Sequence, residues 1–403
     1  MRKTPSASRL QIAVFGRRNA GKSSIVNALV NQPVAIVSEV PGTTTDPVFK
    51  SIEIHGLGPC MIVDTAGLDD AGVVGELRVA RTRQILDRTD LALLVMDACA
   101  GSDDIEIELL RVLAERNIPA LVVANKIDKL PADAALPGAF AELGAPIVAV
   151  SALCGTNIET LKEAIKTAAP REERERTPLA GLVAPNSVVL LVMPQDLEAP
   201  KGRLILPQVQ TIRDALDRDT ISVAVKADRV KEALAVLRDP PALVITDSQA
   251  FERVAKDTPP SVPLTSFSIV FTRLKGDLAA AVAGAETIDR LKDGDAILIA
   301  EACTHHPIED DIARVKIPNL LKRRTGREFK IRYSAGHDFP CADDVKLVIH
   351  CGSCMLTRTE TMTRYRCAIG KKIPITNYGI AIAHLLGILP RALKPFGPPD
   401  SGS

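Results

Sequence analysis

Short, continuous apolar runs alternate with helical patterns along the first third of the chain. Leu10–Phe15 and Leu91–Met96 are almost entirely apolar and too short for helices, so they predict strands buried on both faces. Ser23–Val30 and Ile105–Arg116 have helical patterns. Strands that alternate with helices are typical of a parallel sheet with right-handed crossovers. The other elements predicted here are the strands Cys60–Val63, Ala120–Ala124 and Ile147–Val150 and the helix Ile158–Ala169.

The same alternation recurs in the rest of the chain, and the predicted fold class is therefore α/β throughout. The elements predicted in the middle region are the strands Val188–Met193, Ile221–Val225 and Ala242–Thr246 and the helices Pro207–Arg218 and Val230–Arg238. The elements predicted in the last region are the strands Ala296–Ala300, Phe329–Tyr333 and Val345–Ile349 and the helix Ile317–Arg324.

Two proline-bounded stretches predict the domain limits. The charged run Pro170–Pro178 is typical of a linker, and Pro259–Pro263 marks the end of the middle region. A chain of 403 residues is too long for one ordinary core, and two to three domains are expected. We predict three domains, over residues 1–170, 180–263 and 264–403.

A phosphate-binding loop is predicted where the first strand passes into the first helix. The run from Gly16 to Ser23 fits the pattern G-x-x-x-x-G-K-[ST]. Its glycines let backbone amides surround phosphate groups at the start of the helix. In this pattern Lys22 reaches the β- and γ-phosphates and Ser23 binds Mg²⁺.

Further motifs follow in the order and on the elements that GTP-binding domains require. Asp64 comes at the end of a strand, where it can hold Mg²⁺, and Gly67 can sense the γ-phosphate. Asp128 can accept hydrogen bonds from two nitrogens on the guanine edge, which adenine cannot match. The predicted GTP-binding residues are Gly16, Arg17, Arg18, Asn19, Ala20, Gly21, Lys22, Ser23, Ser24, Asp64, Gly67, Asn125, Lys126, Asp128, Ser151 and Ala152.

The order of these motifs and the residues in them resemble those of the GTPases of the Era and tRNA-modification type. Leu68 stands where Ras-like GTPases have the glutamine that positions water, and an aliphatic side chain cannot do so. The resemblance implies that Asn19 helps to bind K⁺ near the phosphates and that Thr44 joins Ser23 and Asp64 as a magnesium ligand. It also implies slow GTP hydrolysis stimulated by K⁺, with Lys22, Thr44 and Asn19 as the catalytic residues.

Cysteine and histidine residues follow two predicted strands of the last region. Cys303 and His305 follow one strand, and His350, Cys351 and Cys354 follow another. Carboxyl ends of parallel strands lie at one edge of a sheet, so the two groups can meet. Three thiolates suit a [4Fe–4S] cluster with one open corner, Cys₃His suits structural zinc, and unliganded thiols are the third interpretation. Each histidine can instead be a donor that orients a thiolate.

Composition and charge limit which binding partners and which cellular compartment are expected. The chain has a formal net charge of +1, only 3% aromatic residues and no tryptophan, which argues against nucleic acid. No apolar run approaches the roughly 18–20 residues that span a bilayer, and no signal-peptide pattern is present. We therefore expect a cytoplasmic protein that binds no membrane. The cysteines outside the two groups are predicted to be packing residues: Cys60, Cys99, Cys154, Cys341 and Cys367.

The cysteine pattern downstream of this nucleotide domain resembles the [FeFe]-hydrogenase maturation GTPases, the HydF family. The likeness rests on Cys303-x-His305 and His350-Cys351-x-x-Cys354, and on the stretches Ala199–Gln208 and Ile375–Gly379. It spans essentially the whole chain, and the cysteine pattern is its most specific part. It implies a GTPase domain, a dimerisation domain and a cluster-binding domain, in that order.

The resemblance also implies the ligands and the role. Cys303, Cys351 and Cys354 would hold a [4Fe–4S] cluster with an exchangeable fourth site, for which Asp196 is a candidate ligand. Members of the family act as scaffold and carrier for the di-iron subcluster of the hydrogenase. They work with two radical-SAM maturases and deliver the subcluster to apo-[FeFe]-hydrogenase. A homodimer is therefore expected, with GTP, Mg²⁺, K⁺, the cluster and a transient di-iron subcluster as ligands.

Two other functions remain open from the residues. A potassium-activated GTPase of tRNA modification or ribosome assembly would carry a structural zinc site and bind RNA in a salt-dependent way. Near-neutral charge and few aromatic residues argue against it. A purely regulatory switch, whose metal site only stabilises the fold, is the third interpretation.

Overall fold

The protein forms two compact units, residues 1–174 and 175–403. The computed structural model describes residues 9–30, 48–65, 84–100, 103–131, 135–170, 176–193, 204–302, 312–336, 339–340 and 342–397. Within these ranges, none of the helices is both long enough and apolar enough to pass through a lipid bilayer.

The first unit contains a six-stranded sheet with the order β2-β3-β1-β4-β5-β6. All neighbouring strands are parallel except β2, which pairs antiparallel with β3 at the edge of the sheet. The prediction of a parallel sheet is confirmed. The antiparallel edge strand β2 was not predicted from the sequence. The strands are β1 (Leu10–Phe15), β2 (Val48–Ile54), β3 (Gly58–Asp64), β4 (Leu91–Asp97), β5 (Ala120–Asn125) and β6 (Ile147–Ala149).

Apolar cores cover both faces of this sheet. Ile12 and Val14 of β1 belong to one buried cluster, whereas Ala13 and Phe15 belong to another. Alternate residues of a strand point to opposite faces, so a strand covered on both faces is apolar at successive positions, as β1 is from Ile12 to Phe15. The helices of this unit are α1 (Lys22–Val30), α2 (Asp104–Glu115) and α3 (Ile158–Ala168).

The second unit contains two four-stranded parallel sheets with the orders β10-β9-β7-β8 and β12-β11-β13-β14. The strands of the first of these sheets are β7 (Val188–Val192), β8 (Ile221–Val225), β9 (Leu243–Thr246) and β10 (Leu264–Ser266). The strands of the second are β11 (Ala296–Ala300), β12 (Lys330–Ser334), β13 (Val345–His350) and β14 (Ile375–Asn377).

One apolar cluster joins the two sheets of the second unit. Leu190 and Val244 contribute to it from the first sheet, and Leu298 and Val348 from the second. The strand β10 pairs with β9, so the first sheet continues past the predicted limit at residue 263. The limits 180–263 and 264–403 remain predictions.

Nine helices described in the second unit connect and cover its strands. They are α4 (Leu206–Asp217), α5 (Val230–Val236), α6 (Phe251–Asp257), α7 (Phe267–Lys275), α8 (Leu278–Glu286), α9 (Ile317–Thr325), α10 (Arg358–Gly370), α11 (Tyr378–Leu385) and α12 (Leu389–Leu393).

Candidate functional site

The loop between β1 and α1 has a backbone shape that requires glycine at two positions. Gly16 has a φ of 145° and Gly21 a φ of 97°. A Cβ atom on Gly16 would lie 2.2 Å from the carbonyl oxygen of Val95, and one on Gly21 would lie 2.2 Å from Nδ2 of Asn125. Only a residue without a side chain fits either place. The loop therefore has the backbone form that lets amides surround a phosphate chain.

Lys22, the first residue of α1, lies over this loop. Its Nζ donates to the carbonyl oxygens of Gly16, at 2.9 Å, and Arg17, at 2.8 Å. The side chain is buried, so its ammonium group is held in place rather than solvated. In this position it can attract the terminal phosphates of a bound nucleotide.

Ser23 and Asp64 form the part of the site that suits Mg²⁺. The Ser23 hydroxyl donates to Oδ2 of Asp64 at 2.7 Å, although the two residues are 41 positions apart. The other carboxylate oxygen of Asp64, Oδ1, is buried and accepts no hydrogen bond from any described residue. A buried, unpaired carboxylate oxygen beside a hydroxyl fits a hard cation that binds oxygen ligands.

Asn125 at the end of β5 connects the phosphate loop to the base-binding side. Its Nδ2 donates to the carbonyl oxygen of Ala20 at 3.1 Å. Its Oδ1 accepts from the amide of Ala152 at 3.0 Å. Both ends of the buried amide are thus used to hold two loops together, which fixes the distance between phosphate and base sites.

Lys126 adds a second connection, which the sequence did not reveal. Its Nζ donates to the carbonyl oxygen of Asn19 at 2.6 Å and pairs with Asp97 at 2.7 Å. Burial by itself raises the pKa of Asp97, but hydrogen bonds from Lys126 and the Cys99 amide outweigh it and leave the pKa lowered. Asp97 ends β4 next to Asn125 at the end of β5, so strand register places this pair.

Asp128 is exposed and available to a base. Its Oδ1 accepts from the hydroxyl of Ser151 at 2.5 Å. That bond orients the carboxylate and leaves the other oxygen directed away from Ser151. The structure therefore brings together two predicted GTP-binding residues, Asp128 and Ser151.

Several predicted site residues lie outside the described residues. They are Thr44, Gly67, Asp196, Cys303 and His305. Their roles remain predictions.

The two strands that precede the cysteine-bearing segments lie side by side in the last sheet. β11 and β13 are neighbours, with Ala300 opposite His350. The amide of Cys351 donates to the carbonyl oxygen of Ala300 at 2.8 Å, and the amide of Ala302 donates to Sγ of Cys351 at 3.2 Å. Ala302, the residue that precedes Cys303 in the sequence, therefore lies beside the Cys351 sulfur.

The surroundings of Cys351 suit a soft metal. Burial raises the pKa of the Cys351 thiol, while the amides of Ser353 and Ala302 act in the opposite direction. Amide donors to sulfur are typical of metal-bound thiolates, because they stabilise negative charge there. A metal supplies the charge that lets a thiol with a raised pKa lose its proton. Among the described residues, no three potential ligands cluster, and Cys303 is not one of those residues.

His350 is buried, and both of its ring nitrogens are engaged. Nη1 of Arg364 lies 2.9 Å from Nε2, and Nδ1 lies 2.8 Å from the carbonyl oxygen of Cys351. Burial, with the charge of Arg364, lowers the pKa of His350 to about 3. The ring is therefore neutral, with Nδ1 donating to the Cys351 carbonyl and Nε2 accepting from Arg364. Of the two roles predicted for His350, this arrangement favours orienting the loop over binding the metal.

Three of the cysteines interpreted as packing residues are exposed, and that interpretation is wrong for them. Cys99 and Cys154 lie in turns, and Cys367 lies on the solvent side of α10. Apolar neighbours in the sequence suggested burial, but a turn or the outer side of a helix exposes its residues whatever their neighbours are. Cys60 is buried as predicted, and Cys341 lies outside the described residues.

Family models match three consecutive parts of the chain. Residues 11–126 match the model described as 50S ribosome-binding GTPase. Residues 179–276 match the model described as hydrogen maturase F dimerization domain, and residues 279–395 match the hydrogen maturase F tetramerization domain. The first unit thus contains a GTPase domain, and the second contains matches to two oligomerisation domains.

Curated relatives resemble one part of the chain. The tRNA modification GTPase MnmE of Nitrosomonas europaea is 39% identical over 161 residues, 40% of this chain and 35% of that protein. GTPase Der of Chloroflexus aurantiacus is 36% identical over 165 residues, 38% of this chain and 36% of that protein. The chain spans about a third of the length of these relatives. A structure of Aquifex aeolicus Era bound to GDP.AlF4- is 20% identical, with a TM-score of 0.35, over 61% of this chain and 97% of that one.

Proposed function

Because the chain belongs to the hydrogen maturase F family, we propose that it is a GTP-hydrolysing scaffold and carrier in the maturation of [FeFe]-hydrogenase. It would bind a [4Fe–4S] cluster, assemble the di-iron subcluster and deliver it to the apo-enzyme. The observation that supports this best is the approach of Ala302 to the Cys351 sulfur. Ala302 directly precedes Cys303 in the sequence, and the chain also has a GTPase domain.

The first unit would bind and hydrolyse GTP. Lys22 would neutralise the terminal phosphates, and Ser23 and Asp64 would hold Mg²⁺ together with Thr44. Support for the magnesium role comes from the Ser23–Asp64 hydrogen bond and from the unpaired buried oxygen of Asp64. Asp128 and Ser151 would receive the guanine base.

Asn19 would help a monovalent cation to stabilise charge on the transferring phosphate. We expect GTP hydrolysis to be roughly tenfold faster in K⁺ than in Na⁺, because a cation at that place replaces the arginine of other GTPases. Initial rates of phosphate release in KCl and NaCl of equal ionic strength measure this. Asn19→Ala should remove the difference between the salts, and equal rates in the unaltered protein would contradict the role of K⁺.

In the second unit Cys303, Cys351 and Cys354 would hold the cluster. An iron with no cysteine ligand can accept an exchangeable group, for which Asp196 and His305 are the candidates within this chain. His350 would act by holding the carbonyl of Cys351, as its hydrogen bonds favour. The di-iron subcluster is the cargo of the protein rather than a resident cofactor.

The proposed domains are a GTPase domain (1–170), a dimerisation domain (180–263) and a cluster-binding domain (264–403). The proposed assembly is a homodimer that works with two radical-SAM maturases and apo-[FeFe]-hydrogenase. Dimerization and tetramerization models match residues 179–395, which supports self-association. Similarity to MnmE covers 40% of the chain, so we do not propose a function in tRNA modification.

Metal analysis tests the proposal directly. Protein purified without oxygen and reconstituted with iron and sulfide should be brown, hold about four irons per chain and give an EPR signal when reduced. With both maturases present, it should activate apo-hydrogenase. A colourless protein with one zinc per chain and no activation would show that the carrier function is wrong.

A further inference from the structure

Lys275, the last residue of α7, lies buried behind the cysteine loop. Its side chain is 6% exposed. Nζ donates to the carbonyl oxygen of Leu356 at 2.9 Å and approaches that of Ser353 at 3.5 Å. Leu356 and Ser353 flank Cys354, so one ammonium group holds both sides of the segment that carries this cysteine. The contact joins positions about eighty residues apart, and local sequence does not account for it.

Among the residues that the structure describes, no carboxylate pairs with Lys275. Buried lysines are ordinarily paired with an anion, because removal of an ammonium group from water is costly. The two carbonyl oxygens accept hydrogen bonds from it but supply no full negative charge. The thiol of Cys354 can become an anion, and its charge acts on Lys275.

Bulk water has little access to the ammonium group itself, because Lys275 is 6% exposed. A small cavity of about 10 Å³, enough for roughly one water molecule, lies beside the cysteine loop, and Gly276, Cys351 and Ser353 are among its lining residues. An ammonium group withdrawn from bulk water attracts a nearby negative charge more strongly than an exposed one does.

A residue of α10 in turn binds the end of α7. Nη1 of Arg358, the first residue of α10, donates to the carbonyl oxygens of Leu274, at 3.1 Å, and Gly276, at 3.3 Å. The cysteine loop leads into α10, so loop and helix end hold each other at two points. The hydrogen bonds of Lys275 and Arg358 together fix the Lys275 ammonium group beside the loop.

We propose that Lys275 is a positioning residue for the cluster: it fixes the Ser353–Leu356 segment and supplies the buried positive charge that balances the cluster and its thiolates. This rests on the proposed function, since it requires that Cys354 be a cluster ligand. Reduction adds an electron to the cluster, and a nearby fixed cation stabilises the added negative charge. Loss of that cation should therefore make the cluster harder to reduce.

Three substitutions separate the charge from the hydrogen bonds. Lys275→Arg keeps both, Lys275→Gln keeps a donor without the charge, and Lys275→Met removes both. Each full-length variant is reconstituted without oxygen, and two quantities are measured: iron per chain and the midpoint potential by EPR-monitored titration. Lys292→Gln, at an exposed lysine of the same unit, is the matched control.

We expect Lys275→Gln to keep most of its iron and to shift the potential to a more negative value. A tenfold change in the ratio of reduced to oxidised cluster corresponds to 59 mV for one electron. Lys275→Met should show the same shift and lose more than half of its iron, whereas Lys275→Arg and Lys292→Gln should match the unaltered protein.

Potentials unchanged in both Lys275→Gln and Lys275→Met would overturn the proposal. If Lys275→Met does not fold, the comparison of Lys275→Gln with Lys275→Arg decides, since those two differ in charge and both keep a donor. If the unaltered protein binds no iron at all, the proposed function itself fails, and that result is distinct from unchanged potentials in loaded variants.

Discussion

Asp128→Asn is expected to reduce the affinity for GTP by roughly a hundredfold to several thousandfold and to create affinity for xanthosine triphosphate. The carboxylate offers two acceptors to the ring N–H and amino group of guanine, and hydrogen bonds to a charged group contribute about 1.5–3 kcal/mol each. An asparagine side chain can accept only one of these bonds, and its own N–H group then faces a donor of guanine. Xanthine has a carbonyl in place of the amino group, so the same amide matches it.

The asparagine variant should fold as the unaltered protein does. Its side-chain oxygen can still accept from the Ser151 hydroxyl, as Oδ1 of Asp128 does now. Titration with fluorescent GTP and xanthosine analogues measures both affinities. Glu108→Gln, the same carboxylate-to-amide change at an exposed position of α2, should leave both unchanged. Equal GTP affinity in Asp128→Asn and the unaltered protein would mean that this residue does not read the base.

Motif positions at strand ends could be predicted, because two local signals agree there. The phosphate loop follows an apolar run and precedes a helical pattern, and the structure has β1 ending at Phe15 and α1 beginning at Lys22. Asp64 and Asn125 are the last residues of β3 and β5. A parallel sheet brings such ends to one edge, so the sequence order of the motifs is enough to group them.

Helices of the second unit illustrate what periodicity misses. The helices α8 and α11 were not predicted, since their sequences, LAAAVAGAE and YGIAIAHL, are apolar on nearly every side. A helix that is apolar on nearly every side has no polar face and hence no clear 3.6-residue pattern. The antiparallel β2 was missed for a different reason: as an edge strand with polar residues, it lacks a continuous apolar run.

Contacts around the sulfur site depend on tertiary structure that no spacing encodes. The cysteine pattern indicated which thiols could meet, but not what surrounds them. Arg364 reaches His350 from α10, and Lys275 reaches the loop from α7. Lys275 is 81 residues from its partner in the loop and Arg364 is 14 residues from His350, and both lie in helices that carry no motif. The structure thus favours one of two roles for His350 and reveals a buried cation that the sequence did not suggest.

Cys351→Ser should abolish cluster binding and leave GTP binding unchanged. A serine hydroxyl stays protonated near neutral pH and is a hard ligand, so it replaces a thiolate poorly at iron. Loss of one of three cysteine ligands should lower reconstituted iron from about four per chain to less than about one. The affinity for GTP should change less than about twofold, because its motifs lie in the first compact unit, which has its own buried clusters.

The serine variant removes the thiolate ligand and leaves the loop that carries it in place. Its Oγ can accept from the Ala302 amide in place of Sγ, so the strand ends should stay together and the variant should fold. Cys367→Ser, at an exposed cysteine of the same unit, is the matched control and should keep its iron. Full iron in Cys351→Ser would exclude this sulfur as a required ligand. Loss of iron in both variants would mean that any substitution here disturbs reconstitution, and Cys351 would have no special place in the site.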